Sequence, residues 1–94
     1  MSETEYKELE IIKSKDLNKK YTAIIQDNRY NKHYIDFGDV KKPHFRDTTN
    51  LKLYSRLDTN DEKTKQLFYH EISKRGMYIK KFSPLYFMAK YLFS

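Results

Sequence analysis

Polar and apolar residues alternate with a period of two in three places along the first half of the chain. ELEIIK (8–13) puts Leu9 and Ile11 on one face. KYTAIIQ (20–26) sets Tyr21, Ala23 and Ile25 against Thr22 and Ile24, and HYIDF (33–37) sets His33, Ile35 and Phe37 against Tyr34 and Asp36. This alternation is the mark of a half-buried strand. Between the runs, 14–18 and DNRYN (27–31) have the composition of turns, and Gly38 predicts a turn or bulge. The pattern predicts a three-stranded antiparallel meander. A rival for the opening is a helix, because Ser2 and Glu5 stand at capping-box spacing. Residues 1–7 are expected to fray. LKLYSRL (51–57) alternates well enough for a fourth, edge strand, whereas Pro43 keeps KKPHFRD out of a central one.

The second half changes period. Thr59 and Glu62 form a capping box, Asp61 and Glu62 complement the amino-terminal dipole, and Lys74 and Arg75 precede Gly76. The helix so bounded has an apolar face of Thr64, Leu67, Phe68 and Ile72. A second helix follows Ser83, an N-cap, with Pro84 at its first turn. Leu85, Met88, Ala89 and Leu92 form one stripe, while Tyr86, Phe87, Tyr91 and Phe93 fill most of the remaining circumference. A helix apolar nearly all round must be enclosed on more than one side. The stripe is expected to pack on the sheet, leaving Tyr86, Phe87, Tyr91 and Phe93 for a second copy or another protein. The fold class expected is α+β: a small antiparallel sheet of three to four strands, then two helices packed on it, in one domain over 1–94.

Length settles what this tail is not. Residues 84–94 reach about 16 Å as a helix, against a hydrocarbon core of roughly 30 Å. The opening MSETEYKELE is acidic where a signal peptide is basic and then apolar, so secretion is not expected. The absence of cysteine fits a reducing compartment.

Charge adds a partner class. The net charge of +6 is uneven: 1–20 carry five basic and five acidic side chains, and 58–76 carry four of each. Residues 21–57 carry seven against four and 77–94 three against none, so the excess gathers around KKPHFR (41–46) and YIKKF (78–82). Such clustering points to an acidic partner: nucleic acid, an anionic membrane or an acidic protein surface. Lys19, Lys20, Arg29, Lys32, Lys41, Lys42, His44, Arg46, Lys80 and Lys81 would line a phosphate-binding face if the hairpin and both segments converge. Tyr21, Tyr30, Tyr34, Phe45 and Tyr78 would add stacking surfaces for unpaired bases. No helix-turn-helix, zinc-finger or RNP signature accompanies them, so the binding expected is without sequence specificity.

The same stretches carry a resemblance. KKYTAII, NKHYIDFGD, DTNDEKTKQLFYHE and SPLYFMAKYL resemble a family of small basic proteins of unassigned activity from nucleocytoplasmic large DNA viruses of amoebae and algae. The resemblance spans roughly 8–93. At Tyr69-His70 the chain departs from it, because the family usually has arginine before that histidine. It implies a viral protein working in the virion, the host cytoplasm or the viral factory, and supplies no mechanism.

Enzymatic chemistry finds little purchase. His33, His44 and His70 lack paired ligand spacing, so no metal is expected. His33 is expected to pack against a ring and His70 to lie on a helix surface, while His44, beside Lys41, Lys42 and Arg46, has the best functional case. Nothing resembles a nucleophile elbow, and Gly38 and Gly76 are too far apart for a phosphate cradle. No cofactor or catalytic group is expected. The alternative to nucleic acid is a minor virion or capsid component acting through protein–protein interfaces, its basic patches meeting acidic protein.

Overall fold

The computed structural model describes residues 5–94. Strands β1 (Tyr6–Lys13), β2 (Lys19–Asp27) and β3 (Lys32–Asp39) form an antiparallel sheet in that order. Helices α1 (Glu62–Lys74) and α2 (Pro84–Tyr91) follow, so the architecture is the α+β one that the two periods predict. No helix among the described residues is long and apolar enough to cross a membrane.

Alternation places Tyr21, Ala23 and Ile25 on one face of β2 and Phe37 beside them on β3, all buried. Phe37 is the hub of the core. Tyr21 tilts against it on one side, with ring centroids 5.9 Å apart, while Phe87 and Tyr91 of α2 stack on it at 5.6 and 6.2 Å. Gly38 follows with φ +81, and a Cβ there would lie 3.1 Å from both Leu92 Cδ1 and Lys20 Cδ. Both the backbone angle and the close approach of α2's end therefore require glycine.

β1 departs from strict alternation. The register slips between Glu8 and Glu10, leaving Leu9 as the extra residue of a bulge and 39% exposed. Leu9 thus does not share Ile11's inward face. A bulge on an edge strand also blunts an otherwise pairable edge. The strand, not the rival helix, forms here; Ser2 lies outside the described residues. Tyr6 and Lys7, expected to fray, pair with Asp27 and Gln26.

The fourth strand does not form. Lys52 adopts φ 48, and Ser55–Leu57 make a single 3-10 turn. The reason lies in where the backbone donors go: Lys52 N–H to Thr49 Oγ1, Leu53 N–H to the Tyr21 hydroxyl and Tyr54 N–H to Asp47 Oδ2. Side chains take the places that a neighbouring strand would have taken.

α1 begins two residues later than the capping box implies. Asn60 at φ 51 breaks the path from Thr59, and Asp61 Oδ1 accepts from Lys63 N–H at 2.9 Å as the N-cap. Thr59 Oγ1 instead accepts from Asp61 N–H at 3.3 Å, outside the helix. Asp61→Ala is expected to cost about 0.5–2 kcal/mol by thermal melting, with Thr59→Ala costing clearly less. Equal losses would show that Thr59 is the cap.

α1 buries none of its residues fully, and Leu67 is 60% exposed. It docks chiefly through Phe68, whose ring stacks on Phe93 at 4.1 Å and 3°. In α2, Ser83 Oγ accepts from Tyr86 N–H and Pro84 opens the helix as expected. Its phase is not as expected. Phe87 is fully buried and Phe93 nearly so, so these residues assigned to an interface are core. Leu92 packs inward as read, while Leu85, Met88 and Ala89 are only half-buried.

Candidate functional site

The sheet register divides the basic residues into two groups. Lys19 sits opposite Asp39 at one end and Gln26 opposite Lys32 at the other. Seven residues of strand separate the ends, about 23 Å at ~3.3 Å per residue. Lys19, Lys41 and Lys42 are exposed near the first end, and Arg29 and Lys32 near the second. Phe82 packs on Tyr6, with centroids 5.6 Å apart, which brings Lys80 and Lys81 to the second end. There a recess of about 240 Å³ is lined by Tyr6, Ile25, His33, Lys80, Lys81 and Phe82. The convergence that the sequence required of all ten residues does not occur.

The second end is built from the hairpin upward. Asp27 Oδ1 accepts from the backbone N–H of Arg29 (2.8 Å) and Asn31 (3.0 Å), and its Oδ2 pairs with His33 Nε2 at 3.0 Å. The hydrogen bond with His33, helped by the two backbone donors, holds the Asp27 carboxyl down at about 2. His33 also packs edge-on against the Tyr6 ring at 5.4 Å, as expected of it. The ordered loop sets Tyr30 at φ 68, with 82% of its surface exposed. Tyr78, two residues before Lys80, is 78% exposed. Of the expected stacking rings, Tyr30, Tyr34 and Tyr78 face solvent, whereas Tyr21 and Phe45 are buried and unavailable.

Two of the expected phosphate ligands are sealed inside. Lys20 is 1% exposed and His44 fully buried. Lys20 Nζ donates to Lys42 O at 2.8 Å and lies 2.7 Å from His44 Nδ1; His44 Nε2 reaches Asp58 Oδ1 at 2.5 Å. Burial lowers the Lys20 ammonium to about 8, against the pull of Asp47, Asp39 and Asp58. Burial, then the Lys20 charge, depress the His44 imidazole. Arg46 stays exposed but is engaged: its Nε donates to Asn60 Oδ1 and its guanidinium lies 5.0 Å from the centroid of the Phe45 ring.

Next to this chain lies a second buried centre that the sequence did not announce. Asp47 Oδ2 accepts from the Tyr21 hydroxyl and Tyr54 N–H, and Oδ1 from Thr49 N–H and Oγ1. The only local signal was Asp47-Thr48-Thr49, an Asx-turn composition. His70 lies exposed on the surface of α1, as read. Among the described residues no group of three His, Asp or Glu is placed to hold a metal ion. A cavity of about 530 Å³ forms an open apolar groove where α1, α2 and the Lys20–Gly38 end of the sheet meet.

Compared with protein-family models, with curated proteins and with solved structures, the chain matches none.

Proposed function

We propose that this chain is a non-enzymatic binding protein that holds nucleic acid through phosphate contacts without sequence specificity. The binding end is the one carrying Arg29, Lys32, Lys80 and Lys81. What supports this most is the pairing of those four exposed cations with Tyr30 and Tyr78, rings left 82% and 78% exposed. Cations track a phosphate backbone, and exposed rings stack on unpaired bases at ~1–3 kcal/mol each. The Asp27 carboxylate at this end is turned to His33 and the loop amides rather than to the four cations. On this proposal, a protein of the viral kind it resembles would work in the virion, the host cytoplasm or the viral factory.

A second reading, a minor virion component acting through protein interfaces, draws on the groove, where Leu67 and Met77 remain 60% and 47% exposed. Phe87 and Phe93 do not serve it.

Salt titration decides between the two. Affinity for random single-stranded DNA should fall as log salt rises, with a slope near −0.7 for each phosphate neutralised. Changing Arg29, Lys32, Lys80 and Lys81 together to Gln should flatten that slope by up to about 2.8, whereas changing Lys19 and Lys41 should barely alter it. Tyr30→Ala with Tyr78→Ala should weaken single-stranded binding much more than duplex binding. No measurable binding at ~50 mM salt, or a slope unmoved by the fourfold change, rejects the proposal.

A further inference from the structure

We propose that the buried Lys20–His44–Asp58 chain is an acid-sensitive clasp, in which protonation of His44 releases the segment 43–60 from the sheet. The geometry leaves the imidazole one state. An ammonium only donates and a carboxylate only accepts, so Nδ1 accepts from Lys20 and Nε2–H donates to Asp58. A proton added at Nδ1 would set two donors, both charged, 2.7 Å apart. With Lys20 at 1% exposure and His44 at 0%, no water can enter to separate them while the clasp is closed.

The surrounding charges do not remove the conflict. Asp58 touches the other ring nitrogen and also accepts from Asp47 N–H at 2.8 Å; Asp47 in turn is occupied by Tyr21, Thr49 and Tyr54. Asp39 on β3 and Arg56 act on Lys20 from opposite signs. Burial and the Lys20 charge outweigh the attraction of Asp58 and Asp47, so the ring titrates below its ordinary 6.5. The clasp's stabilisation is therefore complete above pH 6.5 and is lost as pH falls through the lower folded value. On the alkaline side it survives: Lys20 loses its proton at about 8, and a neutral amine still has two N–H groups for Lys42 O and Nδ1.

What the clasp holds is a stretch with no ladder of its own. His44 N–H donates to Leu57 O, Thr59 N–H to His44 O and Asn60 N–H to Phe45 O, while Phe45 and Arg46 N–H share Leu92 O beyond α2. Two of these bonds are His44's own and the others belong to Phe45 and Arg46 directly after it, so their amides report its state.

The test is amide exchange on the full chain between pH 7.5 and 4.5, corrected for the intrinsic pH dependence, alongside ¹⁵N imidazole shifts. Protection at Phe45, Arg46, Thr59 and Asn60 should fall about tenfold for each unit by which the closed-state pKa lies below the open one. Protection in β2 and β3 should hold over the same range, and the four amides should share a midpoint with the His44 ring. His44→Gln keeps one acceptor and one donor but cannot titrate, so its four amides should stay protected in acid. The proposal is overturned if those amides merely follow the sheet, if the ring titrates without changing them, or if His44→Gln opens as the unaltered protein does. Should that variant not fold, the shared midpoint in the unaltered protein decides alone.

Discussion

Phe87→Ala is expected to remove ~3–5 kcal/mol of stability, a loss large enough to threaten folding. Domains of this length have on the order of 5–14 kcal/mol in all. The side chain is fully buried, stacks on Phe37, and touches the rings of Phe82 and Tyr86 at 6.2 and 5.1 Å. Its removal therefore opens a cavity in the middle of an aromatic cluster whose members are held by sheet and helix and cannot collapse inward. At roughly 4–8 °C per kcal/mol, the melting temperature should drop by on the order of 12–40 °C. Phe93→Ala should cost less, because its ring is stacked mainly on Phe68 of α1, a helix that buries none of its residues fully. An interface role makes the opposite forecast: Phe87→Ser with Phe93→Ser would leave the melt unmoved and convert an oligomer to monomer. Thermal unfolding by circular dichroism, with sedimentation beside it, separates the two. A shift of only a degree or two in Phe87→Ala would return Phe87 to the surface.

That reversal shows where the chain's pattern carries information and where it does not. Strands β2 and β3 were legible because Tyr21, Ala23, Ile25 and Phe37 alternate with polar neighbours, and alternation marks the buried face directly. Ser83 and Pro84 were legible because capping is local chemistry. The phase of α2 was not, because a helix apolar nearly all round presents no contrast to say which side is in. The bulge at Leu9 left no trace either, since inserting one residue in a short run looks like ordinary alternation.

The candidate site divides along the same line. Exposed cations and rings such as Arg29, Tyr30, Lys80 and Lys81 could be named from sequence, but their grouping depends on strand register and on Phe82 meeting Tyr6. Lys20 and His44 were misread as surface groups because lysine is almost never fully buried unless paired. Lys20 and His44 stand 24 positions apart and His44 and Asp58 14, beyond the reach of any local motif.

Asp47 supplies the other large effect. Asp47→Ala is expected to cost ~3–5 kcal/mol, because it strands the donors of Tyr21, Thr49 and Tyr54 in a site where Asp47 itself is 3% exposed. Asp47→Asn should be almost as damaging. Each carboxylate oxygen accepts from two donors, so an amide NH₂ in either position meets donors where it needs acceptors. Tyr21→Phe, which removes one of those donors together with the acceptor of Leu53 N–H, should cost ~1–3 kcal/mol and be strongly non-additive with Asp47→Asn. The pH dependence adds a separate signature. Burial alone would raise the Asp47 carboxyl, but the hydrogen bonds from Thr49 and Tyr21 overcome it and hold it below its ordinary 3.8. Its contribution is thus complete above that value and is lost as pH falls through the lower folded one. Tyr21 is pushed up to about 12 by burial and by Asp47, so the phenol stays a donor throughout the acid range. Melting temperatures of the unaltered protein should therefore fall in strong acid, and the part of that fall owed to Asp47 should be missing from Asp47→Asn. If Asp47→Asn melts with the unaltered protein at neutral pH, the segment 47–54 is held by something other than this carboxylate.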